Sequence, residues 1–184
     1  MFIQDWGGLL GLRLLEKYDD IIDRVVAANT GLPAGFTEPN EAFKKWRTFS
    51  QTTPNFDVGK VIQKATVTDL SPEIVAAYNA PFPDESYKAG AKIFPSLVPF
   101  GGENPECLIN RKVWLFLQQY QKPFLTLFSD SDPIMKGVEK FFIGQIPGCK
   151  GMPHDIIKGG GHFLQEDKGE EIAEKVVAFI KQTA

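Results

Sequence analysis

Two cysteines and two histidines in 184 residues leave little material for a disulfide framework or a metal centre. Cys107 and Cys149 stand apart, without CxxC spacing or a cluster of histidines, so both read as reduced thiols and no metal is implied. Excess basic charge is also missing. Twenty Lys and Arg against 23 Asp and Glu give a formal net charge of −3, with the lysines interleaved among acids. That pattern offers no stripe for a phosphate backbone and excludes nucleic acid as a partner class. No apolar run approaches the roughly 20 residues of a spanning helix, and no positively charged segment precedes the apolar residues at the N-terminus. Membrane insertion and secretion are disfavoured, and the expected compartment is the cytoplasm. No internal repeat or low-complexity segment is present. What the chain does have is apolar material, 43% of its residues, which suffices for one core.

That material is patterned as alternating strands and helices at both ends of the chain, with a helical middle. After Met1-Phe2-Ile3, the run Gln4-Asp5-Trp6-Gly7-Gly8 reads as a strand end, a sharp turn and a helix start, and Leu9 to Tyr18 as the helix that follows. Arg24 to Asn29 is short, β-branched and bounded by polar residues, as in a buried parallel strand. From Gly31 to about Asn110 prolines multiply and short helices dominate. Asn40 caps one that carries Phe43, Trp46 and Phe49 at threefold spacing, and Ser71-Pro72-Glu73 opens another with a cap, a first-turn proline and a dipole-matched acid. Beyond this stretch the pattern predicts a helix over Val113 to Tyr120 and strands over Pro123 to Phe128 and Asp155 to Ile157. A final helix has Ile172, Val176, Phe179 and Ile180 on one face.

Three loop positions that follow strands carry the chemistry: Asp5, then Asp132 in Ser129-Asp130-Ser131-Asp132-Pro133, then His162 in Gly160-Gly161-His162-Phe163. The turn at Asp5 resembles the nucleophile elbow of α/β-hydrolases with Asp in place of Ser, and nucleophile, acid, histidine is the chain order of that fold. The expected fold class is therefore α/β: the C-terminal part of an α/β-hydrolase fold, with parallel strands, flanking helices and an inserted helical cap. Residues 1–30 and 111–184 are assigned to the core and 31–110 to the cap. A carboxylate nucleophile suits displacement at saturated carbon, because it attacks without first losing a proton. His162, oriented by Asp132, then activates water for a second step. Asp130 competes with Asp132 as the acid. His154 lacks a glycine-rich strand end and reads as a surface residue, and Trp114 reads as core.

The segments QDWGGLLGLR, FSDSDP, GGGHFLQED and AYNAPFPDESYKAG together resemble haloalkane dehalogenases, in particular the branch whose acid follows the strand after the cap. The resemblance covers essentially all residues and places that acid directly before Pro133. It implies hydrolysis of alkyl halides to alcohol and halide through an Asp5 ester, with no cofactor and with haloalkane, halide ion and water as the partners. It also assigns halide binding to Trp6 and Trp46, and an apolar substrate slot to Phe43, Phe94, Pro95 and Val98. Indole N–H groups suit a halide leaving a dry pocket, since they donate hydrogen bonds without adding counter-charge. A related alternative, epoxide hydrolysis, uses the same Asp5 and His162 but needs tyrosines to protonate the epoxide oxygen; Tyr78 and Tyr87 lie in the cap.

In α/β-hydrolases the elbow follows the fifth strand, whereas here three residues precede Gln4. At roughly 30 residues per strand-helix-strand unit, the expectation is that on the order of a hundred residues of an N-terminal half are missing, including the second oxyanion donor. Little halide release is then expected from the chain alone, and an inactive remnant is the non-enzymatic alternative.

Overall fold

Val25–Ala28 and Phe124–Ser129 are buried along their whole length, as strands must be when both faces of a parallel sheet are covered. The computed structural model describes residues 1–184. Its strands are β1 (Phe2–Gln4), β2 (Val25–Ala28), β3 (Phe124–Ser129) and β4 (Asp155–Ile157). The helices are α1 (Trp6–Lys17), α2 (Glu41–Thr52), α3 (Val58–Ala65), α4 (Pro72–Asn79), α5 (Ala89–Leu97), α6 (Pro105–Leu117), α7 (Glu139–Gln145) and α8 (Leu164–Gln182). The four strands form one parallel sheet in the order β1-β2-β3-β4. Because all point the same way, the residues that follow β1, β3 and β4 share one edge, where open α/β sheets place their sites.

Alternation along the strands divides the core in two. Val25 and Ala27 of β2, with Phe124 and Phe128 of β3, face Leu12, Leu15, Trp114, Leu117 and Phe142. Val26 and Ala28, with Leu125 and Leu127, face Leu164, Ile172 and Phe179 of α8. The capping readings hold in detail: Asn40 accepts from the Phe43 N–H and Ser71 from the Ile74 N–H. No strand forms between β2 and α6.

Three expectations shift. The helix read over Val113 to Tyr120 begins earlier, at Pro105, because Asn104 accepts from the Glu106 N–H and Pro105 fits the first turn. Ile180 is 44% exposed, so the buried stripe of α8 ends at Phe179. His154 is not a free surface residue. Its Nδ1 lies 3.1 Å from the Thr126 backbone N–H, an acceptor for a strand position that precedes the β3–β4 pairing, and its Nε2 lies 2.8 Å from the Cys149 carbonyl. Cys107 and Cys149 are free and buried. No helix is long and apolar enough to cross a membrane.

Candidate active site

β1 ends at Gln4 and α1 starts at Trp6, so Asp5 alone makes the turn, at φ 47° and ψ −123°. A non-glycine residue at positive φ is costly and persists only where its surroundings hold it. Here the Asp5 N–H donates to the Asn29 carbonyl at 3.1 Å, and its own carbonyl accepts from the Gly8 N–H at 3.0 Å and the Thr30 hydroxyl at 2.6 Å. Gly8 is required for that closeness, since a Cβ there would lie 1.8 Å from Thr30 Oγ1. The result aims the Asp5 carboxylate past the sheet edge.

Asp132 is fully buried. One of its oxygens accepts from the Ile134 and Met135 N–H groups at 2.8 and 3.1 Å, and the other lies 2.7 Å from His162 Nδ1. With Nδ1 donating to Asp132, Nε2 is the free end of the ring, and it lies 3.3 Å from Asp5 Oδ1. Asp5, His162 and Asp132 thus form a continuous line. Asp130 is not part of it. Its carboxylate accepts from the Gly159 N–H and the Ser131 hydroxyl and braces the neighbouring loop.

The line is electrostatically coupled. Burial alone would raise the Asp5 pKa, but the hydrogen bond and charge of His162, with the Trp6 backbone N–H, outweigh it and hold the carboxyl below its ordinary value. Burial likewise opposes a charged His162, yet its bonds to Asp132 and Asp5 and their charges raise its pKa to about 10. These contacts therefore favour the protonated imidazole beside Asp5.

A cavity of about 1090 Å³ opens above this line. Its wall brings together Asp5, Asp132 and His162 with Trp6, Trp46, Phe43, Phe94, Pro95 and Val98, all nine of the residues singled out in the sequence. Trp6 packs edge-on against Phe94 at 4.9 Å, and Trp46 packs with Phe49 and Phe56. The three indoles differ in one respect. Trp114 is 7% exposed and donates from Nε1 to the Leu32 carbonyl at 2.9 Å, whereas the N–H groups of Trp6 and Trp46 are committed to no protein acceptor. Neither Tyr78 nor Tyr87 lines the cavity. The Tyr78 hydroxyl donates to Glu166, with burial first and then that carboxylate pushing its pKa up to about 12, and Tyr87 is 61% exposed.

Sequence reasoning missed the residues that hold the histidine loop. Asn29, fully buried at φ 37°, donates from Nδ2 to the Gly161 and His162 carbonyls and to Ser129 Oγ, and accepts from the Ser129 N–H. Gln4 Nε2 reaches the same His162 carbonyl at 3.1 Å. The available signal was an Asn directly after an apolar strand, a residue that tolerates left-handed backbone and satisfies several partners at once.

Comparison with known proteins points to one family. The model of the alpha/beta hydrolase fold family matches residues 1–169. A haloalkane dehalogenase of Psychrobacter cryohalolentis is 52% identical over 180 residues, covering 98% of this chain and 59% of its own length. One from Mycobacterium marinum is 41% identical over 179 residues, covering 97% and 60%. Among solved structures, the tetrameric haloalkane dehalogenase DpaA of Paraglaciecola agarilytica superposes with a TM-score of 0.85 at 26% identity, over 96% of this chain and 58% of that one. The chain thus spans about three-fifths of the length of the relatives it matches.

Proposed function

This chain belongs to the alpha/beta hydrolase family, and from that premise we propose that it carries the reaction centre of a hydrolase that converts alkyl halides to alcohol and halide through a covalent Asp5 ester. The observation that carries the proposal is the pairing of one carboxylate, aimed into an apolar cavity and facing His162, with two uncommitted indole N–H groups on the same wall.

In the first step an Asp5 oxygen attacks the carbon that bears the halogen. The new C–O bond forms as the C–X bond breaks, and its electron pair leaves on the halide. Trp6 and Trp46 donate to that anion, while Phe43, Phe94, Pro95 and Val98 keep the alkyl chain dry. Donors fixed in advance of the charge they meet cost no reorganisation as it develops. Alkylation also removes the negative charge of Asp5. One of the two anions that hold the proton on His162 disappears, so the imidazole pKa falls, its proton passes to solvent with the departing halide, and the neutral ring becomes available as a base.

In the second step His162, held by Asp132, takes a proton from water whose oxygen attacks the Asp5 carbonyl carbon. The Trp6 backbone N–H, already at the Asp5 carboxylate, stabilises the oxyanion. Collapse expels the alcohol, which takes up the proton, and restores the carboxylate. An epoxide substrate fits less well, because Tyr78 is turned to Glu166 and leaves no phenol to protonate the ring oxygen.

The test is halide release by the whole protein and its variants on primary haloalkanes. His162→Phe is expected to release about one equivalent of halide per site and stop, with the alkyl group retained on the Asp5 peptide in the mass spectrum. Its steady rate should drop on the order of a hundred- to ten-thousandfold, the usual contribution of general base catalysis. Asp5→Asn should release none. Steady turnover at the parent rate in both variants would sink the proposal.

A further inference from the structure

Asp167 lies five positions beyond His162 and belongs to none of the groups just assigned. It ends the first turn of α8, which a break at Lys168 (φ −143°, ψ 33°) separates from the rest of the helix. Its carboxylate accepts four close contacts from three backbone N–H groups: Gly161 at 2.7 Å, Thr68 at 2.7 Å, and Val67 at 3.0 Å to each oxygen. Gly161 precedes the histidine, and Val67 and Thr68 follow the end of α3. The same two segments are also bonded in the opposite sense. The His162 N–H donates to the Ala65 carbonyl at 2.7 Å, and the Phe163 N–H at 3.3 Å. Packing is tight enough that a Cβ on Gly161 would meet the Ala65 carbonyl at 2.4 Å.

The backbone of His162 is therefore gripped from two sides. Gln4 and Asn29, at the strand ends, hold its carbonyl, and the α3 terminus holds its N–H. We propose that Asp167 is a positioning residue, which locks the end of α3 to the histidine loop and so sets where the His162 imidazole stands for the hydrolytic step; this rests on the ester mechanism above. Charge-assisted bonds from a carboxylate to several backbone N–H groups are the strong kind. Burial alone would raise the Asp167 pKa, and the Gly161, Thr68 and Val67 donors lower it instead, so the group accepts as an anion. The alkylation step needs Asp5 and the halide donors but no proton transfer, whereas hydrolysis needs Nε2 at the attacking water. Loosening the lock should therefore slow the second step alone.

The experiment is Asp167→Asn in the whole protein, with Tyr78→Phe as a second variant that removes a bond from the neighbouring Glu166 to α4 and leaves the α3 terminus alone. Asparagine keeps the shape and turns one acceptor into a donor aimed at N–H groups. Two readouts are taken: hydrogen exchange of the Gly161, Val67 and Thr68 amides, and the ester-bound fraction during turnover. Asp167→Asn should expose those amides, lower kcat on the order of ten- to a hundredfold, lower KM with it, and accumulate the Asp5 ester, as expected for a displaced base. Tyr78→Phe should do none of these. A lower kcat at unchanged KM with no added ester would mark fewer folded molecules and overturn the proposal. So would unchanged amide exchange. Exposed amides in a protein that, unsubstituted, releases no halide would uphold the lock and fault the dehalogenase reading alone.

Discussion

The three tryptophans separate by what their N–H groups do. The Trp114 N–H has a buried acceptor in the Leu32 carbonyl, while Trp6 and Trp46 line the cavity with N–H groups that no protein acceptor takes. Trp6→Phe and Trp46→Phe keep an aromatic ring while removing the donor and part of the indole. A hydrogen bond to a charged partner contributes about 1.5–3 kcal/mol, so each change should lower kcat/KM for halide release roughly ten- to a hundredfold. Thermal stability should move little, because no protein hydrogen bond is lost and a ring still packs on Phe94, Phe49 and Phe56. Kinetics of the two variants across chloride, bromide and iodide leaving groups check this, and an unchanged kcat/KM in both would remove the indoles from the mechanism. The residues of this reading were legible in the sequence because their neighbours announce them: Trp-Gly-Gly after Asp5, Pro133 after Asp132, a glycine run before His162. Asn29 and Gln4 were not, since their partners lie at His162, far along the chain, and pair only once the sheet forms.

At the level of elements, the site depends on how closely α1 approaches the end of β2. Gly8 makes that approach possible, and the Thr30 hydroxyl closes it on the Asp5 carbonyl. Gly8→Ala should therefore destabilise the protein by about 1–3 kcal/mol, the usual cost of overpacking. In a Thr30→Ala background the same change should cost less, because the Oγ1 and Cγ2 atoms it strikes are gone and only the Thr30 Cβ at 2.8 Å remains. Urea unfolding of the four-member cycle measures the coupling; additive effects would mean that the two elements do not meet there. Elements were legible where the chain signals its own ends: Asn40, Ser71 and the apolar runs of β2 and β3 all serve as read. The start of α6 carried the same signal in Asn104-Pro105-Glu106, but inside a proline-rich stretch with no apolar period to extend it. His154 was misread for a different reason: its role is to satisfy a β3 N–H, and the sequence does not show that β4 pairs only from Leu127 onward.

For the whole molecule the central line of charges links folding to pH. His162 is raised from 6.5 to about 10 in the fold, so the stability it contributes is complete below pH 6.5 and is lost as the pH rises through about 10. Asp5 is lowered from 3.8, so its contribution is present above that value and is lost as the pH falls through its lower folded value. Between these limits Asp5 and His162 are both charged. Other groups steepen the alkaline side: burial raises the Cys149 thiol to about 12, so a folded state that keeps it neutral loses ground above its ordinary 9.0. Comparison with a variant cancels that common part. Asp5→Asn removes one of the two anions that raise His162, so its urea midpoint should fall less between pH 6.5 and about 10 than that of the parent. Parallel pH profiles would mean that Asp5 does not hold the proton on His162. Formation of the ester would then have no means of turning that imidazolium into a base.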